Sequence, residues 1–345
     1  MHTSEIRKRW LDYFAANGHE VRPSVPLVSP DPSILFTIAG MVPFIPYITG
    51  EEESPWPRAA SVQKCLRTND IDEVGHDARH GTFFQMNGNF SFGDYFKEGA
   101  LLFAHDLMTG SKDEGKYGMD GDRLWVTIWD QDDETYSVLT KQIGMDPKHI
   151  VQLPRHENFW STGQPGPAGP CCEWHYDRGP KYGPDAVGGN VDPGNDRYLE
   201  LWNLVFDQYM RGEGEGQDYP LLHELANKCI DTGAGLERMA FVLQDKENMF
   251  EIDEIRPVIT KVEELTKLKY TDNNDSENDV RMRIIADHVR SAMMLINDGV
   301  RPGNDGRGYV LRRLVRRAVR SLRLLGIDEA VLPEVFPVSR DAMAP

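Results

Sequence analysis

Apolar residues in this chain follow one rhythm up to about Phe250 and another beyond it, and that change limits the fold more than any other feature. Before it, Thr82 to Met86, Leu124 to Trp129 and Tyr198 to Phe206 have strand-like content, split by Gly- and Pro-rich connectors at Gln164 to Pro170 and Gly179 to Gly194. After it comes a polar loop, Asn273 to Asn278. Met282 to Ile296 and Tyr309 to Leu325 then carry the helical period. An opening helix is expected as well, with Ile6, Trp10 and Phe14 on one face, Thr3 or Ser4 as N-cap and Asn17-Gly18 as the stop. The stretch from Pro26 and Leu27 to Phe36 and Ile38 reads as strand and turn. The fold class is therefore α/β (α+β): a sheet domain, then helices. At 345 residues two domains are expected, a single large domain with an appendage being the alternative.

The one long apolar stretch, Ile34 to Ile48, is broken by Gly40, Pro43 and Pro46 and falls short of the roughly 20 residues that span a bilayer. With no apolar core of a secretory signal at the amino terminus, a cytoplasmic protein with no membrane partner is expected. Cys65, Cys171, Cys172 and Cys229 lack zinc-finger spacing, so no structural zinc is expected. A net charge of −17 opposes non-specific nucleic-acid binding but leaves room for a confined basic patch. Arg312, Arg313, Arg316, Arg317, Arg320 and Arg323 on the last predicted helix offer one. A solvated basic face explains them equally well.

Two segments place charge beside structure in a way a core does not require. Val62 to Lys97 sets Arg67, Arg79 and His80 beside Phe83 and Phe84. Guanidinium forks suit phosphate oxygens and aromatic rings suit a base. The alternative is a hairpin with core aromatics and solvated tips. Asp231-Thr-Gly-Ala-Gly-Leu-Glu-Arg238 puts glycines between an acid and an arginine, where backbone can approach a ligand and Asp231 can hold an ammonium. An ordinary strand-to-helix turn also uses glycine. Neither segment is a P-loop or a dinucleotide fingerprint.

Together these segments resemble motifs 2 and 3 of the class II aminoacyl-tRNA synthetases. Gly-Asn-Phe-Ser-Phe-Gly-Asp-Tyr-Phe-Lys97 is similar to the alanyl-specific members of that family, as are Thr37 to Met41, Asn158-Phe159-Trp160, Trp202 to Phe206, Ile285 to His288 and Arg307 to Arg313. The resemblance implies an antiparallel sheet flanked by helices over 1–247, as an adenylate-forming domain. A helical, tRNA-recognition-like domain would follow over 248–345. It implies that L-alanine and ATP give alanyl-adenylate, with Mg2+ required, and that the alanyl group passes to the 3′ end of alanine tRNA.

In that reading Arg67 binds the α-phosphate and the alanine carboxylate, and Arg238 stacks on adenine. His80 and Phe84 help hold ATP. Trp160, Asn203, Val205, Asp231 and Gly233 form the amino-acid pocket with Arg67, while Asn304, Arg312, Arg313, Arg316 and Arg317 meet the acceptor stem. Arg67, Arg238 and Asp231 are the residues expected to carry catalysis. Glu173 and Glu200 are candidates for the metal, whose ligands spacing does not fix.

The sequence departs from the family text at Gly166-Pro-Ala-Gly-Pro-Cys-Cys172, at Gln85 and in the approach Leu225 to Ile230. These 345 residues do not reach the family's long carboxy-terminal part with its editing domain. A catalytic portion and a stand-alone ligase that alanylates a small, nucleoside-like molecule are both compatible with that. A synthetase-like module without catalysis is the third possibility.

Overall fold

The structure is a computed structural model that describes residues 1–29, 34–184 and 196–344. Part of the Gly179 to Gly194 connector, and residues 30–33 of the stretch read as strand and turn, lie outside the described residues.

Among the described residues nine strands form one sheet: β1 (Glu20–Arg22), β2 (Arg58–Leu66), β3 (Phe83–Phe92), β4 (Leu124–Trp129), β5 (Ile150–Leu153), β6 (Phe159–Ser161), β7 (Gly166–Asp177), β8 (Tyr198–Arg211) and β9 (Leu221–Gly235). Their order is β1-β2-β3-β9-β8-β7-β4-β5, with β6 also on β7. The centre is antiparallel as expected, but β1 runs parallel to β2 and β4 parallel to β5, so the sheet is mixed. The helices are α1 (Thr3–Ala16), α2 (Ile45–Thr49), α3 (Lys97–Thr109), α4 (Asp133–Val138), α5 (Arg155–Asn158), α6 (Leu236–Leu243), α7 (Arg256–Thr266), α8 (Glu277–Asn297), α9 (Gly306–Leu324) and α10 (Leu332–Met343).

The strand period of two sorts residues between the faces. Trp202, Leu204 and Phe206 of β8, with Ile230 and Ala234 of β9, join Ile6, Trp10 and Phe14 of α1 in the main core. Trp10 packs on Trp202 with ring centroids 4.5 Å apart. Val258 and Ile259 of α7, Ile285 and Val289 of α8 and Val335 of α10 belong to the same cluster. The opposite face presents alternate residues of these strands. A separate cluster of Met41, Phe44, Ile48, Ala59 and Phe90, with Trp160 against it, roofs part of that face.

Three local expectations change. His2, not Thr3 or Ser4, is the N-cap of α1. Asp253, remote in sequence, accepts from the Thr3 amide at 3.0 Å and from its hydroxyl, so a carboxylate meets the positive end of the helix. Residues 23–29 and 34–41 form no strand. Gln63 supplies the bonds a neighbouring strand would, accepting from Val25 N and donating to Val25 O, both at 2.9 Å.

The connector expected over Gln164 to Pro170 is largely strand, since β7 starts at Gly166. Its prolines and glycines serve an irregularity in the pairing with β8 between Ala168 and Cys171. A Cβ on Gly169 would stand 1.8 Å from the Phe206 carbonyl oxygen, so backbone must move to admit one. Gly169→Ala is expected to destabilise the protein by about 1–3 kcal/mol in denaturant unfolding. Wild-type stability in that variant would contradict the close approach.

Candidate active site

The sheet face turned away from α1 gathers most of the residues singled out in the sequence. Cross-strand partners share a face, and β8 pairs Asn203 with Gly233 and Val205 with Asp231 on one side. On the other it pairs Asn203 with Glu173 and Val205 with Cys171 of β7. Trp174 pairs with Trp202 but His175 with Glu200, leaving Leu201 over. That bulge brings Glu200 and Asn203, three apart, onto the same face.

Arg67 stands just past the end of β2, where its amide donates to Thr82 O at 3.0 Å and closes the hairpin into β3. Its guanidinium lies 5.0 Å from the centre of the Phe84 ring, and Nε donates to Ile38 O at 3.2 Å. No partner among the described residues takes its two terminal nitrogens, which leaves a fork free for an anion. Between them, the loop holds His80. Asp77 accepts from the backbone amides of Arg79 and His80 at 3.0 and 2.9 Å and pairs with His80 Nδ1. Burial works to raise the Asp77 carboxyl, but His80 and these amides carry it down to about 2.

Arg238, in the first turn of α6, donates from Nη1 to Glu200 Oε2 at 3.0 Å. Burial alone would raise Glu200. Arg238 foremost, with His175 and Arg67, holds it below the usual carboxylate range instead. Glu173, facing it, is pushed up by burial and by the charge of Glu200, against bonds from His175 Nε2 and Thr127 Oγ1, each at 3.3 Å. Among the described residues no three His, Cys, Asp or Glu side chains converge so as to hold a metal ion.

Asp231 occupies the middle of this face and is 5% exposed. Among the described residues no donor is bonded to its carboxylate, and burial pushes it up to about 7. Val205 opposite it is buried, and the Oδ1 of Asn203 is buried without a partner. At Gly233 a Cβ would meet Met86 Sδ at 2.7 Å. Met86 in turn accepts from Gly40 N at 3.2 Å, which fixes the Thr37 to Met41 segment over β3. Trp160 packs against the cluster that holds Met41 and Phe90 over the same face. Asp231 thus lies buried beside Asn203, Val205 and Gly233, with no counterion among the described residues.

The basic residues of α9 divide. Arg312, Arg316 and Arg320 are exposed, one helical turn apart. Arg313 and Arg317 turn instead to Asp72 at 2.8 and 3.0 Å. Arg317 also bonds His288 Nε2 at 2.9 Å, and Asn304 Oδ1 accepts from Arg312. Sequence reading missed Asp72 and Met86, whose partners lie far away in the chain. It also missed Asp207, although the strand period places that residue beside Val205 on the pocket face.

A family model described as tRNA synthetases class II (A) matches residues 5–345. The alanine–tRNA ligase of Arthrobacter sp. (strain FB24) is 57% identical over 349 residues, covering 99% of this chain and 39% of that protein. That of Leifsonia xyli subsp. xyli (strain CTCB07) is 58% identical over 344 residues, covering 99% and 38%. The chain thus spans about two fifths of the length of the curated relatives it matches.

Proposed function

The chain belongs to the class II (A) tRNA synthetases, and from that premise we propose that it activates L-alanine with ATP and passes the alanyl group to alanine tRNA. The observation that carries this reading is Asp231, a buried acid with no counterion among the described residues, set between Val205 and Gly233 on the sheet face. An α-ammonium is the ligand such a carboxylate lacks. Val205 and Trp160 limit the size of the side chain beyond the Cα. A wall of this kind separates substrates differing by one methylene only about 10- to 200-fold.

In the first step an alanine carboxylate oxygen bonds to the α-phosphorus of ATP and the bond to pyrophosphate breaks. Arg67 neutralises charge on the α-phosphate and the entering carboxylate, with Phe84 supporting its guanidinium. Arg238, anchored on Glu200, and His80, anchored on Asp77, hold the nucleotide. An acceptor hydroxyl then attacks the carbonyl carbon and AMP leaves. The protein contributes position and charge, with no covalent nucleophile.

Glu173 and Glu200 would hold a magnesium ion, since burial and the charge of Glu200 both push Glu173 up and a cation there would relieve that. The ion would supply neutralising charge to the phosphates.

The test is alanine-dependent ATP–pyrophosphate exchange with glycine and serine as controls, followed by addition of deacylated alanine tRNA. Exchange that does not respond to alanine sinks the reading, and exchange without charging moves the acceptor to a small molecule. Asp231 must be ionised to take an ammonium. As pH falls below about 7 the alanine KM should therefore rise, by up to tenfold per unit, while the ATP KM changes less. A flat alanine KM from pH 6 to 8 would remove Asp231 from the pocket.

Acceptor-stem binding is assigned to Asn304 and to the exposed side of α9. Arg316→Gln and Arg320→Gln should each lower the slope of log affinity for alanine tRNA against log salt by about 1 and leave exchange unchanged. Unchanged slopes would place the RNA elsewhere.

A further inference from the structure

Asp207 is 0% exposed, and among the described residues no donor is bonded to either of its carboxyl oxygens. The proposed reaction does not use it. A buried carboxylate without donors is among the most costly groups a core can hold, so its presence calls for a physical account.

Its surroundings are given by the register of β8 and β9. Asp207 pairs with Cys229 and Val205 with Asp231, which makes Asp207 and Asp231 diagonal neighbours on one face. Such neighbours lie roughly 7–8 Å apart at Cα, a gap that two Asp side chains can close. Other titratable groups of this face are Cys229 beside Asp207, Cys171 across from Val205, Tyr209 further along β8, Glu173, His175 and Glu200 beyond Asn203, and Arg238 and Arg67, which act on Glu200. Burial pushes the Cys229 thiol up to about 12 and Cys171 well above the ordinary range, so both stay neutral. Among the described residues no Lys or Arg side chain is paired with either acid.

From this geometry we propose that Asp207 is a positioning residue that acts through Asp231: held as a neutral acid, it donates its proton in a hydrogen bond to the Asp231 carboxylate. The inference rests on the amino-acid pocket proposed above and deepens it. Burial and the Asp231 charge both push Asp207 far up, which agrees with a neutral acid. Its hydroxyl then has the Asp231 carboxylate as a diagonal neighbour to donate to. The ammonium of the substrate takes the other side of the same carboxylate. The bond is strongest when Asp231 is ionised, so it favours the state that binds substrate. The pocket thereby presents a single negative charge made from two acids, and one of them never meets the ligand.

The experiment compares Asp207→Asn and Asp207→Leu with wild type, measuring alanine and ATP KM in exchange at pH 6, 7 and 8. Asn keeps a donor at the same place and should hold the alanine KM within about threefold. Leu fills the space without a donor and should raise it tenfold or more, moving the rise at low pH to higher pH, with the ATP KM within twofold. Leu removes the desolvation cost of a fully buried carboxyl, which favours folding of that variant, and Asp207→Ala carries the same comparison if it does not fold. An alanine KM in the Leu variant within twofold of wild type at all three pH values overturns the proposal, as does an equal rise in the Asn and Leu variants. If the wild-type protein shows neither exchange nor an alanine-induced rise in Tm, the pocket assignment itself has failed, and this inference falls with it.

Discussion

Asp231→Ala is expected to raise the alanine KM in pyrophosphate exchange roughly 30- to 5,000-fold, the 2–5 kcal/mol typical of truncating one partner of a buried, hydrogen-bonded charge pair. The ATP KM should change far less, because nothing places Asp231 near the nucleotide. The direction of the stability change separates this from general damage. Asp231 has no cationic partner among the described residues, so its removal takes away a desolvation cost and, of the bonds argued above, gives up only the one from Asp207.

The sign comes from linkage. Its folded pKa of about 7 lies above the ordinary 3.8, so the folded protein binds this proton more tightly than the unfolded chain. Stability from this group is therefore present at low pH and is lost as pH rises from about 4 to 7. Above pH 7 the Ala variant should melt at or above the wild-type temperature, and its pH dependence should be flatter across that window. A variant that lost both alanine binding and stability at pH 8 would point to a structural acid.

Arg67→Ala should lower kcat for exchange by about 10²- to 10³-fold, the effect of removing one preorganised donor from a site of developing charge. Arg67 is exposed, and among the described residues its side chain makes only the bond to Ile38 O and the contact with Phe84, so the fold has little to lose. Arg67→Lys keeps the charge but not the planar fork, and less than a tenth of wild-type activity is expected to return. If Arg67→Ala kept wild-type kcat, the role of charge stabiliser would pass to another cation on this face.

The parts of the site legible in the sequence were those whose chemistry is local. Arg67, His80 and Phe84 lie close along the chain, and Asp231 to Arg238 forms one short segment, so unusual residue types were visible without knowing the fold. Asp207 was hidden because an isolated Asp in a strand looks like any exposed position until the facing strand is known. The strand beginning at Gly166 was hidden for the opposite reason. Pro167, Gly169 and Pro170 read as loop, and only the approach of the Phe206 carbonyl shows why a strand needs them there. In α9 the helical period was clear, but spacing alone could not tell that Arg313 and Arg317 serve Asp72 while Arg312, Arg316 and Arg320 face outward.

The central strand order has a consequence for how the molecule comes into being. β3 carries Phe84 and Met86, and its inner neighbour is β9, so strands β4 to β8 are made between two elements that must pair. During synthesis β2 and β3 can form their hairpin early, but one edge of β3 stays uncovered until Ile230 to Gly235 emerges. Closing so long a loop is slow, and a waiting strand edge is open to mispairing. The pocket is therefore among the last parts of the sheet to form. A ligand that bridges β3 and β9 can trap the closed sheet, which makes amino acid or nucleotide a candidate aid to refolding.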